Sequence, residues 1–155
     1  MPTLTPYGLP RYTIGLIQEP TPLRTSISHL RHSGDIVKCL TPLLAHQDRE
    51  QIYGVFLDTK YAIIGINHIA MGGLNEAHVS PREVFKCAIL LNAAAVALAH
   101  NHPSGDPTPS PTDRRLTDRL ANAGKILGIT LLDHVIIGND QYYSFADHGT
   151  LTPSI

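Results

Sequence analysis

Short runs rich in apolar and β-branched residues alternate along the chain with segments of helical periodicity. In the strand-like runs every second residue is apolar, or the whole run is apolar as expected of a buried strand. Six segments have this character: residues 11–17, 52–57, 61–70, 93–99, 129–137 and 141–145. Turn-like residues at 58–60 separate the second and third segments, which predicts a hairpin there.

Helical signals mark three further segments, residues 28–44, 80–91 and 110–123. The first has Ile36 and Leu40 at helical spacing. Each of the other two begins with Ser-Pro and has an acidic residue three positions after the serine, Glu83 or Asp113, which is the pattern of a capping box. The alternation of strands and helices predicts an α/β protein with a mixed sheet.

The composition is that of one folded domain. The chain has 155 residues, of which 43% are apolar and 16% charged, so it has enough apolar side chains for a core. The formal charge of −1 lacks the basic excess typical of nucleic-acid-binding proteins. Because we find no secretory signal and no apolar run long enough to cross a membrane, we expect a cytoplasmic protein without a membrane partner. The two cysteines suit a reducing compartment.

The segment that follows the apolar run 93–99 contains the candidate chemistry. His100 and His102 are two residues apart, so in an extended chain their side chains point to the same side. Asp113, in the first turn of the next helix, can fold back towards them. Two imidazoles and a carboxylate with one position left for water are the ligands of a catalytic zinc site. Zinc lowers the pKa of such a water to about 7.

The same residues also have structural interpretations. Histidines in a loop can be solvated, and Asp113 can close a capping box with Ser110. Prolines at positions 103, 107, 109 and 111 restrict the loop, which favours a preorganised site. Cys39 and Cys87 are isolated, which argues against the Pro-Cys-x-x-Cys signature of zinc deaminases. Cys87 lies within the predicted helix 80–91, where a buried, inert thiol is expected rather than a nucleophile.

The spacing His100-x-His102, seven residues, Ser110, two residues, Asp113 resembles the JAMM motif of the JAB/MPN metallopeptidases. This resemblance implies that His100, His102 and Asp113 bind Zn²⁺ and that the hydroxyl of Ser110 stabilises the tetrahedral intermediate. It also implies a glutamate near the start of a core strand that acts as a general base without binding the metal. Glu50, just before the run 52–57, matches that position. Its rival is Glu83, whose capping position already explains its presence.

The residues within and around the motif resemble one particular branch of this superfamily. His-Asn-His-Pro-Ser-Gly-Asp-Pro-x-Pro-Ser, with flanking similarity at residues 81–85 and 132–138, resembles the RadC branch of the superfamily, and the similarity extends over residues 27–149. The resemblance implies a JAB/MPN (cytidine-deaminase-like) fold, in which helices flank a mixed central sheet. The expected organisation is a Pro-rich N-terminal segment (1–23), a RadC-like JAB/MPN domain (24–150) and a C-terminal tail (151–155).

The function that the resemblance implies is zinc-dependent hydrolysis of peptide or isopeptide (amide) bonds in a peptide or protein substrate. The alternative is a DNA-associated protein of the RadC family, either a metal-dependent nuclease or a DNA-processing or binding module. Basic residues close to Asp113 would serve it: Arg114, Arg115, Arg119 and Lys125. Against it stand the near-neutral charge and the lack of a counterpart to the helix-hairpin-helix segment of longer RadC proteins. DNA binding that weakens steeply with salt would favour it.

Three further points stay open at this level. A metal-bearing scaffold without turnover has the same ligands as an enzyme. His134 either supports the zinc ligands from behind or is a structural histidine bonded to backbone, and Asp106, between Gly105 and Pro107, favours a turn over ligation. The sequence specifies neither the substrate nor the oligomeric state.

Overall fold

The computed structural model describes residues 8–20, 23–72 and 79–151, and a mixed sheet of five strands forms the centre of these ranges. Their elements are, in chain order, α1 (Ser33–Leu44), β1 (Gln51–Leu57), β2 (Ile63–Met71), α2 (Pro81–Leu90), β3 (Ala95–Asn101), α3 (Pro111–Leu127), β4 (Thr130–Ile137) and β5 (Tyr142–Ser144). The strands lie in the order β2-β1-β3-β4-β5. The predicted α/β fold, a mixed central sheet flanked by helices, is confirmed.

The pairing of β3 with β4 determines where the candidate residues lie. These two strands are parallel, whereas β1 is antiparallel to both β2 and β3, and β5 is antiparallel to β4. Parallel neighbours need a crossover connection, and α3 provides it. The C-terminal end of β3 is therefore followed by a loop and then by the N-terminus of α3. This is the kind of position at which open α/β sheets commonly place their sites.

The side chains of β3 alternate between two cores. Ala95, Ala97 and Ala99 pack in the cluster that includes α1, while Val96 and Leu98 pack in the cluster that includes α2 and α3. Small alanines allow α1 to approach the sheet closely, and the larger residues fill the opposite face. Because alternation continues along the strand, His100 belongs to the face that α2 and α3 cover. A fully buried strand thus carries the polar side chain of His100 to the side of the sheet that α2 and α3 cover.

The helix starts agree with the predicted caps in position and only partly in chemistry. Ser110 precedes α3 and forms a complete capping box with Asp113, and Gly128 ends the helix with a positive φ of 70°. Ser80 precedes α2, but its side chain makes no capping hydrogen bond. Glu83 accepts a hydrogen bond from Lys86 at 2.6 Å instead. The described helices include none that is long and apolar enough to cross a bilayer.

One predicted element is wrong, and another begins later than predicted. Residues 11–17 form no strand: the side chains of Tyr12 and Ile14 are exposed, because no neighbouring strand pairs with this stretch in the described ranges and a lone strand has no partner for its backbone groups. The first helix begins at Ser33 rather than residue 28. The backbone before it pairs with the start of the neighbouring strand, since Ser28 accepts from Ile63 and Leu30 donates to Tyr61.

Strand β3 begins and ends two residues later than the predicted 93–99, so His100 lies on the strand and His102 directly after it. Residues 1–7, 21–22, 73–78 and 152–155 lie outside the described residues. Most of the predicted C-terminal tail and part of the predicted N-terminal segment fall there, and both boundaries stay predictions.

Candidate metal centre

Three side chains predicted as metal ligands converge between the end of β3 and the first turn of α3. His100 comes from the strand, His102 from the residue after it and Asp113 from the helix. The two Nε2 atoms are 3.1 Å apart. Asp113 directs Oδ1 towards Nε2 of His100 and Oδ2 towards Nε2 of His102, each at 3.3 Å. Each of the three side chains offers one ligand atom, and within the described residues these atoms are close enough together to bind a single metal ion.

The spacing of these atoms fits a tetrahedral zinc ion. Ligands about 2.0–2.1 Å from a tetrahedral ion lie about 3.3 Å from one another, by geometry alone. The observed separations of 3.1 Å between the imidazoles and 3.3 Å from each imidazole to the carboxylate agree with that value. Two nitrogens and a carboxylate oxygen also match the donor preference of zinc and leave a fourth position for water.

The three ligands differ in burial, and their pKa values shift in different directions. His100 is completely buried and Asp113 is 2% exposed, while the side chain of His102 keeps 13% of its surface. Burial lowers the pKa of His100, which favours the neutral, ligating imidazole. Burial alone would raise the pKa of Asp113, but the two histidines beside the carboxylate outweigh it and keep that pKa far below its ordinary value. The carboxylate in turn raises the pKa of His102. Asp113 is therefore an anion between two imidazoles.

Backbone contacts hold His102 in place, although its loop carries no regular structure. Its N–H donates to the carbonyl of Ile137 on β4 at 3.0 Å. Nδ1 of its ring lies 2.7 Å from the carbonyl oxygen of Asp106. A carbonyl can only accept, so Nδ1 carries the proton and Nε2 faces the site with a lone pair when the ring is neutral. The carboxylate of Asp106 accepts from the N–H and hydroxyl of Thr108, so the turn role predicted for Asp106 holds.

Gly105 allows this loop its shape. It adopts a positive φ of 87°, and a Cβ at this position would collide with the side chain of Asn139. Its N–H donates to His102 and its carbonyl accepts from Asn139. The loop is thereby attached to the turn between β4 and β5, which keeps the ligand at a constant distance from the sheet.

Glu50 lies directly before β1, beside the histidines. Ile52 pairs with His100 across the antiparallel strands, and continuing that register by two residues brings Glu50 opposite His102. Alternation then puts its side chain on the face that carries both histidines. Burial lowers the pKa of His100 and Asp113 raises that of His102; the negative charge of Glu50 acts upward on both, which is consistent with a position close to both rings.

The amide side chain of Asn101 fastens the backbone on both sides of Glu50. Its Oδ1 accepts from the N–H of Gln51 at 2.7 Å, and its Nδ2 donates to the carbonyl of Arg49 at 3.0 Å. The residue between the two histidines, which is 3% exposed, therefore ties the ligand strand to the segment that carries the glutamate. The carbonyl of Glu50 itself accepts from Gly72 at 2.8 Å.

Replacing Asn101 with Ala should lower the free energy of unfolding by about 1–3 kcal/mol, because the partly buried N–H of Gln51 and the carbonyl of Arg49 lose their partners. Urea denaturation followed by circular dichroism measures the change. Asn122, exposed on α3, provides the matched control, and Asn122→Ala should stay within about 0.5 kcal/mol of wild type. Equal stability of the two variants would contradict a stabilising role for the hydrogen bonds of Asn101 to Gln51 and Arg49.

The other predicted site residues have clear surroundings. The hydroxyl oxygen of Ser110 accepts from the N–H of Asp113 at 3.1 Å, while the N–H of Ser110 donates to Oδ2 of Asp113 at 2.8 Å. Asp113 thus has both roles that the sequence left open, helix capping and contact with the histidines. Glu83 is held by Lys86 at the surface, with 39% of its side chain exposed. Its predicted capping role is wrong.

His134 lies behind His100, with Nε2 of its ring 2.8 Å from Nδ1 of His100. It is completely buried, and of the two interpretations left open by the sequence the structure selects the side-chain contact with the ligand. Thr117 on α3 contacts the other nitrogen of His134 at 2.7 Å. Sequence reasoning missed Thr117 and the role of Asn101, because each acts across elements that are distant along the chain. The position of Thr117 four residues after Asp113, on the same side of a helix, is the signal that was available.

Comparison with known proteins identifies the family of the chain. Residues 30–150 match the family described as RadC-like JAB domain. The UPF0758 protein STH371 of Symbiobacterium thermophilum is 44% identical over 139 residues, which are 90% of this chain and 58% of the relative. The UPF0758 protein lmo1549 of Listeria monocytogenes is 50% identical over 115 residues, which are 74% of this chain and 51% of the relative. The chain spans about half the length of these curated relatives, and it belongs to the RadC-like JAB domain family.

Proposed function

We propose that this domain is a zinc-dependent hydrolase of amide bonds, with His100, His102 and Asp113 as ligands. The observation that carries the proposal is that Nε2 of His100 and Nε2 of His102 lie 3.1 Å apart and that each lies 3.3 Å from one oxygen of Asp113. One atom from each side chain can therefore bind the same tetrahedral ion and leave one position for a water. A purely structural zinc site would use a fourth protein ligand. Glu50, next to these ligands, supplies the acid–base group that such a hydrolase needs.

The chemistry follows from the groups around this position. Bound zinc supplies Lewis acidity and lowers the pKa of a water to about 7. Glu50 acts as general base, takes a proton from the attacking water and passes it to the leaving nitrogen. The Ser110 oxygen accepts from the N–H of Asp113, so the hydroxyl proton can be donated to the carbonyl oxygen as it becomes negative. One such donor contributes about 3 kcal/mol in other hydrolases.

A thiol mechanism has less support. Cys39 is buried, Cys87 is half-buried, and burial raises the pKa of both thiols, so neither is disposed to act as a thiolate. Both are free thiols, which suits the cytoplasm as the proposed compartment.

The substrate class that we propose is a peptide or a protein, cleaved at a peptide or isopeptide bond. Zinc-loaded protein should cleave members of a mixed peptide library that includes lysine isopeptides, releasing a new amino terminus or a free lysine side chain. A chelator should abolish the cleavage, which mass spectrometry detects. Protein treated with chelator and reloaded with zinc is the matched control. Cleavage of DNA by the zinc-loaded protein without any peptide product would contradict the proposal and favour the nuclease alternative.

A further inference from the structure

A line of buried polar groups extends from His100 away from the candidate metal centre. Nδ1 of His100 lies 2.8 Å from Nε2 of His134, and Nδ1 of His134 lies 2.7 Å from the hydroxyl of Thr117. That hydroxyl donates to the backbone carbonyl of Asp113 at 2.7 Å. His100 and His134 are completely buried and Thr117 is 1% exposed, so water does not compete for these bonds.

The donor and acceptor in each hydrogen bond follow from the backbone carbonyl of Asp113, the acceptor at the end of the line. A backbone carbonyl cannot donate, so the single proton of the Thr117 hydroxyl is committed to Asp113. The oxygen of Thr117 must therefore accept from His134, which puts a proton on Nδ1 of that ring. A neutral imidazole with a proton on Nδ1 has a lone pair on Nε2, and neutrality is what complete burial favours. Nε2 of His134 then accepts from Nδ1 of His100.

We propose that Thr117 and His134 are positioning residues that set the tautomer of His100, keeping its proton on Nδ1 and its Nε2 lone pair directed at the metal position. His102 obtains the same result from the carbonyl of Asp106 at 2.7 Å. One ligand is thus oriented by a backbone group and the other by a relay of two side chains. The proposal rests on the proposed metal site, and its tests do not depend on any substrate.

The surroundings of His134 hold the ring at the required angle. The ring stacks on Phe145 with the centroids 5.2 Å apart and the planes 10° from parallel. Its backbone N–H donates to Oδ1 of Asp133 at 2.7 Å, and its carbonyl accepts from Phe145 at 3.0 Å. With backbone and ring both held, the imidazole has little freedom to turn its nitrogens away from His100 and Thr117.

The first test uses the wild-type protein without metal and needs no variant. Long-range ¹H–¹⁵N NMR spectra of the imidazoles identify which nitrogen carries the proton. We expect Nδ1–H for both His100 and His134. A proton on Nε2 of His100 in the neutral ring would overturn the proposal.

The second test measures zinc affinity by competition with a chelator. Thr117→Val keeps the shape and removes the hydroxyl, whereas Thr117→Ser keeps the hydroxyl and loses a methyl group. The relay predicts a loss of about 10- to 100-fold in zinc affinity for the valine variant and recovery to within about threefold of wild type for the serine variant. A role in packing alone predicts weaker zinc binding by the serine variant than by the valine variant, because loss of the methyl group creates a cavity. That result would overturn the proposal.

Thr41 is the matched control, since its hydroxyl donates to the carbonyl of Val37 at 2.6 Å, four residues earlier on α1. Thr41→Val removes the same kind of helix hydrogen bond away from the site and should leave zinc affinity unchanged. Failure of the wild type to bind zinc would contradict the proposed function, while the NMR measurement would still decide the tautomer. Zinc binding without amide hydrolysis would leave both tests of the relay intact.

Discussion

Glu50→Gln should bind zinc as the wild type does and lose turnover by a factor of about 10² to 10⁴, the contribution of a well-placed general base. The substitution keeps the size of the side chain and removes only its ability to take a proton. The ligand atoms come from His100, His102 and Asp113, so the amide should not change the metal content. Turnover on a substrate from the peptide screen and metal analysis of the same preparation measure the two quantities.

Glu83→Gln provides the control for this substitution. Glu83 carries the other carboxylate weighed for the same role, and it is ion-paired with Lys86 at 2.6 Å. We expect turnover within about twofold of wild type for this variant, because it loses only an exposed ion pair. If Glu50→Gln loses zinc instead, Glu50 is a ligand and the assigned roles are wrong. If Glu83→Gln loses turnover while Glu50→Gln does not, the base is Glu83.

His102→Ala should lose the metal. The wild-type protein is expected to contain about one zinc ion per chain. The variant should retain almost none after dialysis, because only two of the three protein ligands remain. His102 is the most exposed ligand, so the fold should survive the change better than a change at the fully buried His100. Inductively coupled plasma mass spectrometry gives the zinc content, and circular dichroism checks the fold.

A matched histidine outside the centre is His68 on β2, whose exposed side chain stacks on Tyr53 of β1. His68→Ala should keep its zinc. Full zinc retention by His102→Ala would refute the metal centre as proposed, since no other group of described residues has three such ligand atoms within reach of one ion. Equal loss in both variants would mean that zinc binds at the surface rather than in the centre.

Local chemistry explains which parts of the site were predictable. His100 lies on β3 and His102 directly after it, and the alternation of side chains along an extended chain predicts that they point the same way. Asp113 and Ser110 share one helix start, where the capping pattern determines their geometry. The extended strand 11–17 was predicted by the same rule and is wrong. A strand also needs a lateral partner, and alternation does not contain that information.

The contacts that join distant elements were not predictable in this way. Asn101 holds the backbone around Glu50 because β1 and β3 pair in one register, and a shift by one residue would turn Glu50 to the other face of the sheet. Thr117 meets His134 because the parallel pairing of β3 with β4 brings β4 beneath α3. Such contacts depend on register and crossover, which no local pattern encodes.

The sequence by itself determined the α/β class, the start of α3, and a set of two histidines, a serine and an aspartate whose spacing resembles a known motif. Those features depend on interactions between residues within about one helical turn or one strand repeat. Only the tertiary structure decided that the two Nε2 atoms lie 3.1 Å apart with an oxygen of Asp113 3.3 Å from each. It also decided that Asn101 holds the backbone around Glu50 and that His134 lies behind His100. The physical reason is that burial and sheet register bring together groups that are 17 to 52 residues apart along the chain.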